Sequence, residues 1–319
     1  MVEISVIICT YNPHPGRLAR TLAGLRAQTL PATQWECLLI DNASTPALTL
    51  PPEVWPNFRV VRELTRGLSH ARRRGLRETT ATLCIFADDD NVLAPDYLAQ
   101  VAQLAATYPR VGAFGGRSLP EFEIPPADWV REFFELLALR DLGPQPIIAR
   151  ADTPLRAYPR GAPIGAGMVL RREAAVAWLD APDSGLSDRR GRELTSGGDN
   201  DIVLKLFAAG WSVAYFPELV LTHLIPAGRL DSSYLARLNR GIQKSWVQVL
   251  ARHGVCPWPS MPAWTLGLRK LKAWLNHRAW ASPAGHIRWQ GACGHFEGRA
   301  QKAGSPALPA TPTTKPWCQ

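Results

Sequence analysis

The apolar run Leu83-Cys84-Ile85-Phe86-Ala87 ends in three consecutive aspartates, Asp88, Asp89 and Asp90, and that junction constrains the chain more than any other. Five apolar residues closed off in this way read as a buried strand. Three adjacent carboxylates at its end repel one another when ionised and call for a cation or hydrogen-bond donors nearby. Hard oxygen ligands suit Mg²⁺ or Mn²⁺, and those ions suit a diphosphate, so the local chemistry points to a nucleotide-linked ligand. The plain alternative is an acidic cap or a solvated turn, because Pro95 and Asp96 signal a helix start just downstream.

The surrounding sequence repeats the same layout. Ile4-Ser5-Val6-Ile7-Ile8-Cys9-Thr10 is continuous and rich in β-branched residues, as a central parallel strand buried on both faces should be. After the turn Pro13-His14-Pro15-Gly16, the residues Leu18, Leu22 and Leu25 recur at i, i+4 and i+7 and predict a helix. Residues 37–40, ending in Asp41-Asn42, form a second strand and residues 58–61 a third, and residues 68–77 form a basic helix leading into the Asp-terminated strand. Such alternation predicts an α/β fold whose ligands sit beyond the carboxyl ends of parallel strands. In the second half, residues 111–114 and 167–170 are strand-like. The proline-broken stretch 119–158 between them reads as a substrate-shaping region. Residues 202–207 make a short helix stopped by Gly210, and two short strands, 213–216 and 219–221, lead to His223.

Composition narrows the class. The 319 residues, 46% of them hydrophobic, can build one large or two smaller domains with a substantial core. Lys and Arg number 36 against 27 Asp and Glu, and the resulting +9 suits phosphate-rich ligands, anionic membranes or nucleic acid without choosing among them. Cys9, Cys37, Cys84, Cys256, Cys293 and Cys318 show no zinc spacing, and the first three sit in apolar runs as small hydrophobes. No basic, apolar leader opens the sequence and no apolar stretch reaches the roughly 18 residues that span a bilayer, which predicts a cytoplasmic protein, soluble or peripheral on the membrane's inner face. No Walker loop or dinucleotide fingerprint competes for a phosphate.

Taken in order, residues 5–12, Leu39-Ile40-Asp41-Asn42-Ala43-Ser44, residues 66–72, Phe86-Ala87-Asp88-Asp89-Asp90 and Gly198-Asp199-Asn200-Asp201 resemble the motifs of the inverting family 2 glycosyltransferases. The resemblance covers about residues 4 to 225. It implies a GT-A nucleotide-diphospho-sugar transferase fold, an α/β architecture with a mixed, mostly parallel central sheet flanked by helices. The expected parts are a nucleotide-sugar-binding half (1–110), an acceptor-binding and catalytic half (111–255), a basic aromatic helical extension (256–302) and a disordered tail (303–319).

The resemblance also assigns roles. Asp199 would be the catalytic base, with Asp201 in reserve, although Asp199 could equally cap the helix that follows it. Asp90 and His223 would hold Mg²⁺ or Mn²⁺; His223 could instead contact phosphate or be structural. Thr10, Tyr11, Asn12, Asp41, Arg66, Asp88 and Asp89 would bind the nucleotide: Tyr11 by stacking, Asp41 by accepting from a base N–H, Asp88 and Asp89 around the ribose and behind the metal. Many family members carry Glu-Asp where this chain has Gly198-Asp199, so one carboxylate beside the base is missing. The implied partners are a nucleotide sugar, with UDP-sugar first, and a saccharide or lipid-linked saccharide acceptor, with no nucleic acid expected. A sugar-phosphate nucleotidyltransferase and a non-catalytic nucleotide- or nucleic-acid-binding module are the rival readings. In the extension, Trp264, Leu268, Leu271 and Leu275 mark one helical face beside Arg269, Lys270 and Lys272. That face either lies on an anionic membrane or packs against the catalytic domain.

Overall fold

The computed structural model describes residues 2–49, 57–152, 155–181 and 197–301, so the expected disordered tail and Cys318 lie outside the described residues. All of β1 (Ile4–Thr10) is buried. Ile4, Val6 and Ile8 pack against α1 (Pro15–Arg26) and α3 (Tyr97–Thr107). Ile7 and Cys9 pack on the other side against α2 (Leu68–Glu78), α4 (Arg172–Leu179) and α5 (Gly198–Ala208). A strand covered on both faces has no polar side, which is why its sequence does not alternate. Burial pushes the Cys9 and Cys84 thiols up to about 12 and Cys37 higher still, as expected of inert core residues.

Parallel pairing joins β3 (Phe58–Arg62), β2 (Trp35–Asp41), β1 and β4 (Leu83–Asp88) in that order. The sheet continues through β8 (Met168–Arg171), β6 (Val111–Phe122), β9 (Ser212–Ile225) and β5 (Asn91–Leu93), and β7 (Ile147–Ala149) also pairs with β9. Here β6 and β9 run parallel, whereas β8, β5 and β7 pair antiparallel to their neighbours.

Two strands are longer than their sequence suggests. β9 runs unbroken through Pro217 because its register with β6 jumps there: Gly115 pairs with Tyr215 and Arg117 with Val220, so residues 216–219 bulge and the missing proline N–H costs no ladder bond. β6 keeps pairing with β9 as far as Phe122 and Ile225, so the start of the irregular stretch expected from residue 119 belongs to the sheet. The rest of that stretch includes a 3₁₀ helix, Asp128–Leu137, whose Val130, Phe133 and Leu137 are buried against the C-terminal helices.

Sequence reading passed over α6 (Ser232–Arg252), although Leu235, Leu238, Ser245 and Val249 recur at helical spacing and are buried. Its N-terminus is capped by Asp231, whose carboxylate accepts the N–H groups of Ser233 and Tyr234 at 2.8 and 3.1 Å. α8 (Pro283–Gln301), within the expected extension, lies along α6 through Gly291, Gly294 and Gly298. A Cβ on Gly294 would land on the Arg240 carbonyl, and one on Gly298 would come within 2.8 Å of the Lys244 carbonyl. Glycine inside a helix costs about 1 kcal/mol relative to alanine, so this row earns its place by letting two backbones approach. Gly294→Ala is therefore expected to lower stability by about 1–3 kcal/mol. Gly267→Ala, where nothing stands within 4 Å, should raise it by up to about 1 kcal/mol. Urea midpoints of the two variants moving in the same direction would contradict this packing.

Candidate active site at the carboxyl ends of the strands

The acidic triplet sits beside the end of β1, where Cys9 is in register with Asp88. The Thr10 hydroxyl donates to the Asp89 carboxylate, so Thr10 faces the triplet. Burial and the charges of Asp90 and Asp88 push the Asp89 carboxyl up to about 6, against the opposing Thr10 hydroxyl and Arg229. Asp88 lines a small cavity of about 20 Å³ together with His223, Arg229 and Tyr234.

His223 reaches this place through sheet register. β5 starts immediately after Asp90, and its first residue, Asn91, pairs with His223 of β9. The Leu224 N–H bonds the Asp90 carbonyl at 2.9 Å and fixes the alignment. His223 Nε2 thereby lies 3.3 Å from Asp90 Oδ1, and both residues are buried. Arg229, in the 3₁₀ turn Ala227–Leu230, closes the group: its Nη2 is 2.9 Å from Asp90 Oδ2 and its Nη1 3.0 Å from His223 Nε2. The Arg229 contact uses Nε2 as an acceptor, and Nδ1 is a buried atom with no hydrogen-bond partner among the described residues. A carboxylate oxygen and an imidazole lone pair thus aim at one point, where a guanidinium cation stands. Among the described residues, no three His, Cys, Asp or Glu side chains converge on such a point. Arg229 was not singled out from sequence, since nothing in the linear pattern sets it apart from the other arginines.

Asp199 stands in the first turn of α5, and its side chain does not cap that helix. Its Oδ2 accepts the Gly165 N–H at 2.9 Å and its Oδ1 pairs with Arg72. Arg72 is buried, with its guanidinium 4.9 Å from the Phe86 ring centre. Glycine at 165 lets both side chains come close, because a Cβ there would displace the carboxylate and the guanidinium from these positions. Two residues on, the Gly167 N–H bonds the Phe86 carbonyl at 2.9 Å, near the end of β4. Asp199 is thus tied to the same end of the sheet as the triplet. Asp201, the reserve base, faces elsewhere. It is buried and holds Lys205 Nζ at 2.8 Å and His253 Nε2 at 2.9 Å, fastening α5 to the end of α6. Burial raises its pKa, but the His253 and Lys205 contacts prevail and hold it below the usual carboxylate range.

The remaining expected nucleotide contacts divide. Tyr11 is 46% exposed and Arg66 lies over its ring, 5.0 Å from the centre, so the pair presents an open aromatic face backed by a cation. Asn12 instead ties two loops together. Its N–H donates to Ser44 Oγ and its Oδ1 accepts from the Thr45 N–H, both at 2.9 Å. Asp41 is likewise engaged within its own loop. Its buried carboxylate accepts the Ser44 N–H at 3.0 Å and the Leu48 N–H at 3.2 Å within its own loop. Burial opposes ionisation of Asp41, yet these bonds and Arg62 hold its carboxyl below the usual range. Asn42, not selected from sequence, accepts the Gly67 N–H at 2.8 Å and donates to the Thr65 carbonyl at 2.7 Å, which positions the loop carrying Arg66.

Residues 5–176 match the family model described as glycosyl transferase family 2. The succinoglycan biosynthesis protein ExoM of Rhizobium meliloti is 25% identical over 282 residues, covering 85% of this chain and 82% of that protein. ExoW of the same organism, also a succinoglycan biosynthesis protein, is 33% identical over 110 residues, 32% of this chain and 34% of its own length. Protein y4gI of Sinorhizobium fredii is 32% identical over 117 residues. The matched region is 33% of this chain but only 12% of y4gI, so the chain spans far less than two thirds of y4gI and of ExoW. Among solved structures, the mannosyltransferase PcManGT of Pyrobaculum calidifontis, in complex with GDP-Man and Mn²⁺, aligns with a TM-score of 0.53 at 20% identity, over 90% of this chain and 73% of that one. GalNAc-T7 with UDP, GalNAc and Mn²⁺ aligns at 0.52 with 16% identity, over 93% of this chain and 55% of the other. These likenesses are of fold, and they bear out the expected α/β architecture with a central sheet flanked by helices.

Proposed function

Because the chain belongs to glycosyl transferase family 2, we propose that it moves a sugar from a nucleotide-diphosphate sugar to an acceptor hydroxyl with inversion at the anomeric carbon. The observation that carries this reading is the gathering of Asp199 and the acidic triplet, remote in sequence, at one end of the sheet. The acceptor oxygen bonds to the anomeric carbon as the bond from that carbon to the diphosphate oxygen breaks. The leaving diphosphate keeps the electron pair, and Asp199 takes the hydroxyl proton. A single displacement by one base inverts the centre. Arg72 and the Gly165 N–H orient the Asp199 carboxylate.

The residues fit a divalent cation. Asp90 and His223 offer one oxygen and one nitrogen to a shared point, a mixed pair that suits Mn²⁺ better than Mg²⁺. Two protein ligands suffice for a cation that takes its remaining oxygens from phosphate and water. Both fold neighbours carry Mn²⁺ alongside a nucleotide or nucleotide sugar. When bound, the ion offsets charge building on the departing diphosphate. Arg229 balances Asp90 otherwise. Tyr11, backed by Arg66, supplies the stacking face for the base, and Asp88 faces the ribose with Asp89 held behind it by Thr10. We take the donor to be a UDP-sugar, and the acceptor to be a saccharide, free or lipid-linked, in polysaccharide synthesis, as the succinoglycan relatives suggest.

The test is to incubate the full chain with a panel of UDP- and GDP-sugars and Mn²⁺. Nucleoside diphosphate should be released from one donor, and proton couplings should give a product anomer opposite to that of the donor. Silence across the panel, or a product with retained configuration, would overturn the proposal.

A further inference from the structure

Every exposed position of one stripe on α7 (Leu266–Asn276) and its flanking turns is apolar, the reverse of a surface helix packed on a core. Trp264 is 79% exposed, Leu268 70%, Leu271 55% and Leu275 53%, at spacings of four, three and four residues, and Trp280 extends the stripe at 57%. Only Ala273 of α7 is buried. The helix is fastened from behind: Lys270 Nζ donates to Glu297 at 2.6 Å, and Trp289 Nε1 to the Lys270 carbonyl at 3.0 Å. Trp274 and Trp280 meet as tilted rings with centres 4.4 Å apart, which ties α7 to the following turn. The leucines of the stripe are therefore held facing outward by contacts that do not use them.

We propose that this face docks on an anionic lipid surface. Arg269, Lys272 and Arg278 are exposed beside the stripe, giving an amphipathic rim suited to the headgroup boundary, where Leu and Trp enter the acyl region and basic groups meet phosphate. The charge balance favours lipid over a second copy of the chain. Residues 256–301 hold six Lys and Arg against one acid, Glu297, which already pairs with Arg240 and Lys270. Two such faces brought together would meet cation to cation. No helix among the described residues is long and apolar enough to cross a membrane, so the attachment lies in the surface plane.

The full chain is tested by sedimentation with vesicles of phosphatidylcholine alone or mixed with phosphatidylglycerol. Binding should require phosphatidylglycerol, weaken with salt and shift the tryptophan emission to the blue. The triple variant Leu268→Ser, Leu271→Ser, Leu275→Ser, and separately Arg269→Glu with Lys272→Glu, should each weaken partitioning at least about tenfold. Both should keep the wild-type urea midpoint and donor turnover in solution. Equal binding by wild type and variants overturns the proposal. So does a wild-type dimer in ultracentrifugation that the triple variant abolishes without vesicle binding, which would make the stripe a self-interface.

Discussion

Asp199→Asn is expected to lower glycosyl transfer by about 10²–10⁴-fold, the range supplied by a positioned general base. Asparagine preserves shape and can still accept the Gly165 N–H, so the loop at the end of β4 should keep its course. The carboxylate lone pair proposed to receive the acceptor proton is what it removes. Donor binding, proposed to draw on Tyr11, Arg66 and the triplet, should be nearly unchanged when titrated by calorimetry. The substitution also leaves Arg72 facing an amide, and losing that charged hydrogen bond should lower stability by about 1–3 kcal/mol. Turnover is therefore to be measured well below the variant's own melting temperature. Near-normal transfer would remove Asp199 from the chemistry.

Asp90→Ala should produce the largest loss of stability among the site variants, about 3–5 kcal/mol by urea denaturation at unchanged m-value. The reason is geometric. Arg229 and His223 both address this buried carboxylate, and without it a guanidinium faces an imidazole lone pair with the other carboxylates less well placed. The wild type should gain melting temperature on adding Mn²⁺, and the variant should not, a difference readable without any substrate. A variant that matched the wild type in both midpoint and Mn²⁺ response would show that Asp90 neither anchors this corner nor holds a cation.

The strands at the centre of the sheet were legible because burial on both faces leaves an unmistakable apolar run, as in β1 and β4. The positions where those runs end, Asp41 and Asp88, were legible for the same reason. What the carboxylates do there was not. Asp41 turns into its own loop and Asp89 accepts from Thr10, choices made by backbone N–H groups and a hydroxyl that no local pattern announces. His223 could be suspected from its place at a strand end, but its partner follows from β5–β9 register, a pairing between segments far apart in sequence. Arg229 depends on the same register and carried no signal of its own. The stripe on α7 was readable as a helical face; its direction was decided by Lys270, Ala273 and Trp289 on the opposite side.

The glycine row on α8 changes what the end of the chain means for the rest. α8 shares with α6 the apolar cluster of Ile225, Leu230, Leu235, Leu238, Ala284 and Ile287, and Ile225 ends the strand that carries His223. A cut before α7 would strip a wall from that cluster and expose the groove where Asn239, Arg240 and Val247 receive the glycines. α8 is thus a keel of the catalytic body: trimming it away would unseat the histidine corner along with the surface patch it supports.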